Sequence, residues 1–247
     1  MPHRVVHLDL IDSTNAEAMR RASGGERGPL WIVAARQSAG RGRRGRKWDS
    51  DAGNLYATLL ITVPAPAAIA AQTSFVAALA VHDLAAGVLG SREKLALKWP
   101  NDVLLESAKL AGILLETLAR DGPGATTVAV GIGINLASAP DHTRYGATSL
   151  AAHGAHVAPQ DAFARLADSM AARLAEWNDG QGFALIRSDW MERAAGLGGK
   201  ASVTMGERTL IGEFSGLASD GALLLSEAGG RTHCIHAGEV SLALEGS

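Results

Sequence analysis

The chain is poor in cysteine: Cys234 is the one thiol among 247 residues. An internal disulfide is thereby excluded, and the usage fits a reducing compartment, so the expected location is cytoplasmic. An excess of one charge is also missing, with 23 Lys and Arg against 25 Asp and Glu and a formal net charge of -2. This argues against a dedicated nucleic-acid binder, whose affinity rests on a broad basic face. The opening, Met1 to Leu10, lacks the apolar run of a secretory signal. Charged residues are absent from Ala52 to His82, a stretch long enough to raise a membrane span. Pro64 and Pro66 split it, and Asn54, Gln72, Thr73 and Ser74 interrupt it. The expectation is a buried strand over 55–63, a proline turn and an Ala-rich helix over 67–89, with no membrane segment. A Gly-x-Ser-x-Gly elbow and a Walker-type phosphate loop are missing too.

Positive charge, scarce in the sum, is concentrated at one place. Gly40-Arg41-Gly42-Arg43-Arg44-Gly45-Arg46-Lys47-Trp48 holds five cations and three glycines in nine residues. Unpaired charges are too costly to bury, and each glycine costs a helix about 1 kcal/mol against alanine. The segment is therefore a positive loop ending in an aromatic side chain. Such a loop can close over an anion, with arginine forks meeting carboxylate or phosphate oxygens, or stay solvated, or touch RNA.

The remaining pattern places strands at 4–10, 30–35, 94–99, 103–105, 110–118 and 126–136. Helices are expected from Asp12-Ser13-Thr14-Asn15 to Gly24-Gly25, over 160–177 and over 183–195. Thr14 and Glu17 have capping-box spacing. Phe163, Leu166, Met170, Leu174 and Trp177 share one helix face and read as core. After the glycines of 196–199, short segments at 201–205, 209–217, 222–226, 231–235 and 240–244 are separated by tight turns, the mark of a small β-barrel. The fold class is α+β.

Four further segments bear chemistry. Ser13-Thr14-Asn15 is a hydroxyl, hydroxyl and amide cluster that suits a neutral polar ligand, or simply caps a helix. Lys98-Trp99-Pro100-Asn101-Asp102 presents an amide and a carboxylate where proline stops a strand; it can orient phosphates or magnesium, or be a turn. Lys109 opens the apolar run Lys109-Leu110-Ala111-Gly112-Ile113-Leu114. At an effective dielectric near 20 a lysine about 4 Å from an anion contributes roughly 4 kcal/mol, although an edge lysine can also merely discourage strand pairing. Val130-Gly131-Ile132-Gly133-Ile134-Asn135 is not a dinucleotide fingerprint, because Leu136 occupies the third glycine's position. Its glycines suit a flat ligand against a strand, with Asn135 at the polar edge. His233-Cys234-Ile235-His236 turns Cys234 and His236 to one face without a fourth ligand, so no metal site is assigned.

In this order the segments resemble those of the biotin protein ligases, also called biotin–[acetyl-CoA-carboxylase] ligases. The likeness spans nearly the whole chain, down to Gly238-Glu239-Val240-Ser241-Leu242. It implies a mixed-sheet catalytic domain of the biotin/lipoate ligase type over 1–197 and an SH3-like β-barrel over 198–247. It also implies a two-step reaction. Biotin and ATP, with Mg2+, give biotinyl-5′-AMP and pyrophosphate; a lysine of a biotin carboxyl carrier protein of acetyl-CoA carboxylase then takes the biotin.

By the same resemblance, Ser13, Thr14, Asn15 and Gln37 bind biotin, and Arg41, Gly42 and Arg43 fold over it and its adenylate. Lys109 contacts carboxylate and phosphate as the main electrostatic catalyst, with Arg43 and Asp102 also in catalytic roles. Trp48, Asn101, Gly133 and Asn135 fall on the nucleotide side. Bifunctional members carry an N-terminal helix-turn-helix, whereas here the first strand begins by Arg4, so DNA binding is not expected. Members include monomers and dimers, which leaves a homodimer open. Ala243 stands where some members have a basic residue.

Overall fold

The computed structural model describes residues 4–118, 124–141 and 146–242. Its first sheet has seven strands: β1 (Val5–Leu8), β2 (Leu30–Ala34), β3 (Leu55–Val63), β4 (Leu95–Lys98), β5 (Asp102–Leu105), β6 (Ala108–Thr117) and β7 (Thr126–Ile134). They lie in the order β1-β2-β3-β7-β6-β5-β4. Only β1 and β2 run parallel, because α1 (Thr14–Ser23) crosses over between them; the other neighbours are antiparallel. β2 is apolar without alternation because both faces are covered. Leu30 and Ile32 meet Ala18 and Ala22 of α1, while Trp31 and Val33 enter the main core.

That main core is closed by α2 (Ala67–Ala70), α3 (Thr73–Leu89), α4 (Pro159–Trp177) and α5 (Phe183–Glu192). The apolar stretch 67–89 is long and apolar enough to cross a membrane, yet most of it is buried inside the fold. It is two helices rather than the expected one. The chain breaks at Ala71-Gln72, and Gln72 turns inward to accept the Trp177 indole N–H at 2.9 Å. Gly90, in the left-handed region at φ 71°, ends α3. On α4, Phe163, Leu166, Met170 and Trp177 are buried as expected, and Leu174 is partly covered. α5 ends at Glu192, short of the expected 195.

The C-terminal part is one five-stranded antiparallel sheet: β8 (Lys200–Met205), β9 (Arg208–Leu217), β10 (Leu223–Ser226), β11 (Thr232–Ile235) and β12 (Glu239–Leu242). The order is β11-β10-β9-β8-β12, and the long β9 serves both β8 and β10. Val203, Phe214, Leu223, Leu225 and Val240 are buried in it and join the main core. The junction is specific. Trp99 donates its indole N–H to Gly221 O at 3.1 Å, and Arg187 donates to Leu217 O at 2.9 Å. Ala243 lies outside the described residues, as does the end of the strand expected over 240–244.

Candidate active site

Strand alternation puts Tyr56 and Thr58 of β3, Gly131 and Gly133 of β7, Gly112 and Leu114 of β6, and Asp102 of β5 on the sheet face that carries α1. Register then aligns them in rows: Tyr56–Gly133–Gly112–Asp102, and beside it Thr58–Gly131–Leu114. The glycines leave a floor without side chains. Above it opens a cavity of ≈ 960 Å³, roofed by the 40–48 loop and reached by Glu239 of β12. The volume matches that of small-ligand sites in general.

One end of the cavity is polar and neutral. Ser13 caps α1, its hydroxyl accepting from Ala16 N–H at 3.4 Å. The cap is therefore Ser13 and not the expected Thr14, which is already helical. Asp12 steadies the turn by accepting from Ser13 N–H, and a hydrogen bond from Arg20 pulls its carboxyl down to about 2. Thr14, released from capping, borders the cavity with its hydroxyl donating to Gln37 Oε1 at 3.2 Å and accepting from Thr58 at 2.8 Å. Gln37 accepts from its backbone N–H at 2.8 Å and donates to Ser50 Oγ at 2.9 Å, satisfying one of the first-turn donors that a helix cannot. Asn15, 3 % exposed, lies over Gly131 with its Oδ1 accepting from Thr58 at 2.7 Å. A Cβ at position 131 would fall 2.0 Å from that oxygen, so glycine here makes room for Asn15.

The loop itself is a narrow turn. Trp48 N–H donates to Gly40 O at 3.0 Å and Gly42 N–H to Arg46 O at 2.7 Å, with Arg44 in the left-handed region at φ 56°. Gly40 is required by proximity, since a Cβ there would meet Trp48 O at 2.3 Å. Each loop cation has a counter-group: Arg41 with Glu116 at 3.3 Å, Arg43 with Asn101 Oδ1 at 3.0 Å, Arg44 and Arg46 with Glu239, Lys47 with Asp49 at 2.8 Å. Trp48 lies flat on the floor, where a Cβ at position 133 would come within 2.6 Å of its indole. The flat group that Gly133 was expected to accommodate is, in this structure, the Trp48 ring. The indole N–H is buried without a protein acceptor among the described residues.

The other end is cationic. Lys109 Nζ stands 2.6 Å from Asp102 and 5.3 Å from the centre of the Trp48 ring, within cation–π range. Register pairs Asp102 with Lys98, which is 8 % exposed and whose ammonium is held below its usual range by burial against the pull of Asp102. Burial likewise lowers Arg43. Asn101 bridges the strands: its amide donates to Ile113 O at 2.7 Å while its oxygen takes Arg43. Three cations thus crowd a single carboxylate, an arrangement that an entering anion would relieve.

The cavity gathers all the residues singled out in the sequence. Asn135 differs in its bonding, since its amide donates to Thr148 O at 3.0 Å and tethers the chain beyond β7 rather than pointing free into the cavity. Lys98, Thr58, Glu116 and Glu239 were not singled out as site residues. Lys98 was legible in principle, as the antiparallel partner of Asp102 across a turn. The others depend on contacts with α1 and the 40–48 loop, which are remote from them in sequence. Asp220, Cys234 and His236 place their ligand atoms within 4.8 Å of one another, but all three are exposed and lie away from the cavity.

Comparison with known proteins agrees with this geometry. Residues 8–135 match the biotin/lipoate A/B protein ligase family and residues 202–243 the biotin protein ligase C terminal domain. The biotin–[acetyl-CoA-carboxylase] ligase of Paracoccus denitrificans is 46% identical over 232 residues, 91% of this chain and 95% of its own. The enzyme of the same name from Mycobacterium tuberculosis is 32% identical over 94% of this chain and 88% of its own. A solved biotin protein ligase from Aquifex aeolicus, in complex with biotin and ATP, superposes with a TM-score of 0.79 at 26% identity, covering 96% of this chain and 97% of that one. The chain belongs to the biotin protein ligases of the biotin/lipoate A/B protein ligase family.

Proposed function

We propose that this protein is an ATP-dependent biotin protein ligase that makes biotinyl-5′-AMP and passes the biotin to a lysine of a biotin carboxyl carrier protein of acetyl-CoA carboxylase. The observation that carries the reading is one cavity with a neutral hydrogen-bonding end, Ser13, Thr14, Asn15 and Gln37, and a cationic end, Lys98, Lys109 and Arg43. Biotin has a neutral ureido head and an anionic tail, and the cavity offers chemistry for each in that order.

Arg41, Gly42 and Arg43 close over the bound acid. Lys109 lies between the two ends and holds the carboxylate beside the α-phosphate. A carboxylate oxygen attacks phosphorus, the bond to the leaving phosphate breaks, and pyrophosphate departs with its charge met by Arg43 and Lys98. Because the reactants repel each other, the step needs fixed cations and orientation more than a covalent nucleophile. Trp48, Gly133, Asn135 and Asn101 bound the nucleotide side, and the orphan indole N–H of Trp48 offers a donor there. In the second step the carrier's lysine amine attacks the acyl carbon and AMP leaves. Loop closure keeps water from the reactive adenylate meanwhile.

Asp102 is the carboxylate suited to a magnesium ion that arrives with the triphosphate, since such ions take one or two protein carboxylates and the rest of their ligands from phosphate and water. The ion would supply charge neutralisation. We divide the chain into a catalytic part, 1–197, and a C-terminal part, 198–247, and take Glu239 as the charged group among the latter's contributions to the cavity wall, Gly238, Glu239, Val240 and Leu242. A cytoplasmic location suits both the substrates and the lone thiol.

The test is ATP–pyrophosphate exchange with biotin, lipoate or neither, in the parent and in Lys109→Ala. Exchange that requires biotin and falls by about 10²–10³ in the variant, the scale of one lost electrostatic stabiliser, is expected. Exchange driven by lipoate would move the substrate to the neighbouring branch of the family. No exchange from folded protein would overturn the ligase reading.

A further inference from the structure

Glu116, on β6, occupies a place that the reaction as described does not use. One of its carboxylate oxygens accepts from Asn15 Nδ2 at 2.9 Å, and the other meets Arg41 at 3.3 Å. Asn15 Nδ2 also donates to Leu114 O at 3.2 Å. The amide is therefore locked in one orientation. Turning it over would set Oδ1 against a carboxylate and a carbonyl, neither of which can donate. Its Oδ1 consequently stands over Gly131 on the cavity floor, and with Thr58 taking one lone pair it has one left to accept with.

We propose that Glu116 is a positioning residue that holds the Asn15 amide oxygen toward the cavity, so that the site selects a head group able to donate N–H bonds. This rests on the biotin reading above, in which that head is a ureido ring. The link to Arg41 is the lesser part, because both partners are partly solvated, at 51% and 29% side-chain exposure, and such pairs contribute little. The Asn15 link is buried on one side and made to a charged acceptor, which makes it the stronger bond. Without Glu116, Asn15 keeps Leu114 O and Thr58, and because a hydroxyl can accept as readily as donate, only Leu114 O opposes a flipped amide, which would present N–H groups to a ligand that also brings N–H groups.

The experiment compares Glu116→Gln and Glu116→Ala with the parent in biotin-dependent ATP–pyrophosphate exchange, using biotin and a biotin methylated on its ureido nitrogen. A glutamine carbonyl can still accept from Asn15, whereas alanine cannot. Glu116→Ala is expected to raise the biotin KM about 10–100-fold, the scale of one hydrogen bond to a charged group, with kcat within about 3-fold. The methylated analogue should lose far less, narrowing the parent's preference for biotin. Glu116→Gln should stay within about 3-fold of the parent on both parameters, which separates amide positioning from the charge on Arg41. The proposal is overturned if glutamine falls as far as alanine, if the loss appears in kcat alone, or if the preference between the two acids does not change. Absence of exchange in the folded parent would instead sink the ligase reading on which it rests.

Discussion

Two glycines one residue apart on β7 make opposite demands, and replacing each by alanine separates them. At Gly131 the new methyl would sit 2.0 Å from Asn15 Oδ1 and 2.7 Å from its Cγ, inside the amide. Asn15 cannot swing away without losing its bonds to Glu116, Leu114 O and Thr58. Taking about 1.5–3 kcal/mol for the charged partner and about 1 kcal/mol for each neutral one, the loss is about 3.5–5 kcal/mol. Removing a glycine from a strand returns about 0.5–1 kcal/mol. The net cost of Gly131→Ala is then about 2.5–4.5 kcal/mol, or roughly 10 °C in Tm for a chain of this size. At Gly133 the obstacle is the Trp48 indole at 2.6 Å, carried by a surface loop and only partly buried. The ring can lift off at small cost to the fold, so Gly133→Ala should change Tm by under about 2 °C while weakening nucleotide use. Thermal denaturation and an ATP titration of the exchange reaction measure both. Equal destabilisation by the two alanines would refute the argument, for it would mean that Trp48 is as fixed as Asn15.

Trp99→Phe removes the donor to Gly221 O across the junction and leaves a buried carbonyl unpaired, which should cost about 1–3 kcal/mol in urea denaturation. A loss below about 0.5 kcal/mol would show that the junction does not depend on that bond. Arg43→Ala should release adenylate and raise carrier-independent labelling of bystander lysines by about tenfold, which mass spectrometry of a mixed-protein reaction would count. At acid pH, a hydrogen bond from Arg20 holds Asp12 down from 3.8 to about 2, and one from Arg4 holds Glu26 down from 4.5 to about 2. Both folded values lie below the unfolded ones, so the stabilisation is present above about pH 4.5 and is lost as the pH falls toward 2. Asp12→Asn combined with Glu26→Gln should flatten the fall of Tm over that interval, and an unchanged slope would refute the assignment.

What could be read from the chain and what could not follow the range of the interactions. Strand positions, the C-terminal run of short strands and the order of the motifs are local patterns, and the cavity collects them as expected. The start of α1 is also local, yet two hydroxyls compete for one cap, and only the position of Gln37 decides that Ser13 takes it. The break at Ala71-Gln72 answers to Trp177, far along the chain. Gly131 and Gly133 announce that something must come close, but their neighbours Asn15 and Trp48 arrive from other elements. Glu116 reads as an ordinary charge near the end of a strand until β6 is laid beside α1.

The bond between Trp99 and Gly221 has a consequence for inheritance. Gly221 is confined by Phe75 and Phe183, whose rings would stand 2.8 and 3.2 Å from any Cβ placed there. Phe75 in turn meets Phe183 and Trp190 edge to face. A tail transplanted from a distant homologue would have to present its own small residue and free carbonyl at that point, against an unfamiliar set of rings. The last fifty residues should therefore drift in company with 75, 99, 183 and 190, as parts of one interlocking fit, and recombination between lineages should succeed only when the breakpoint carries that whole set.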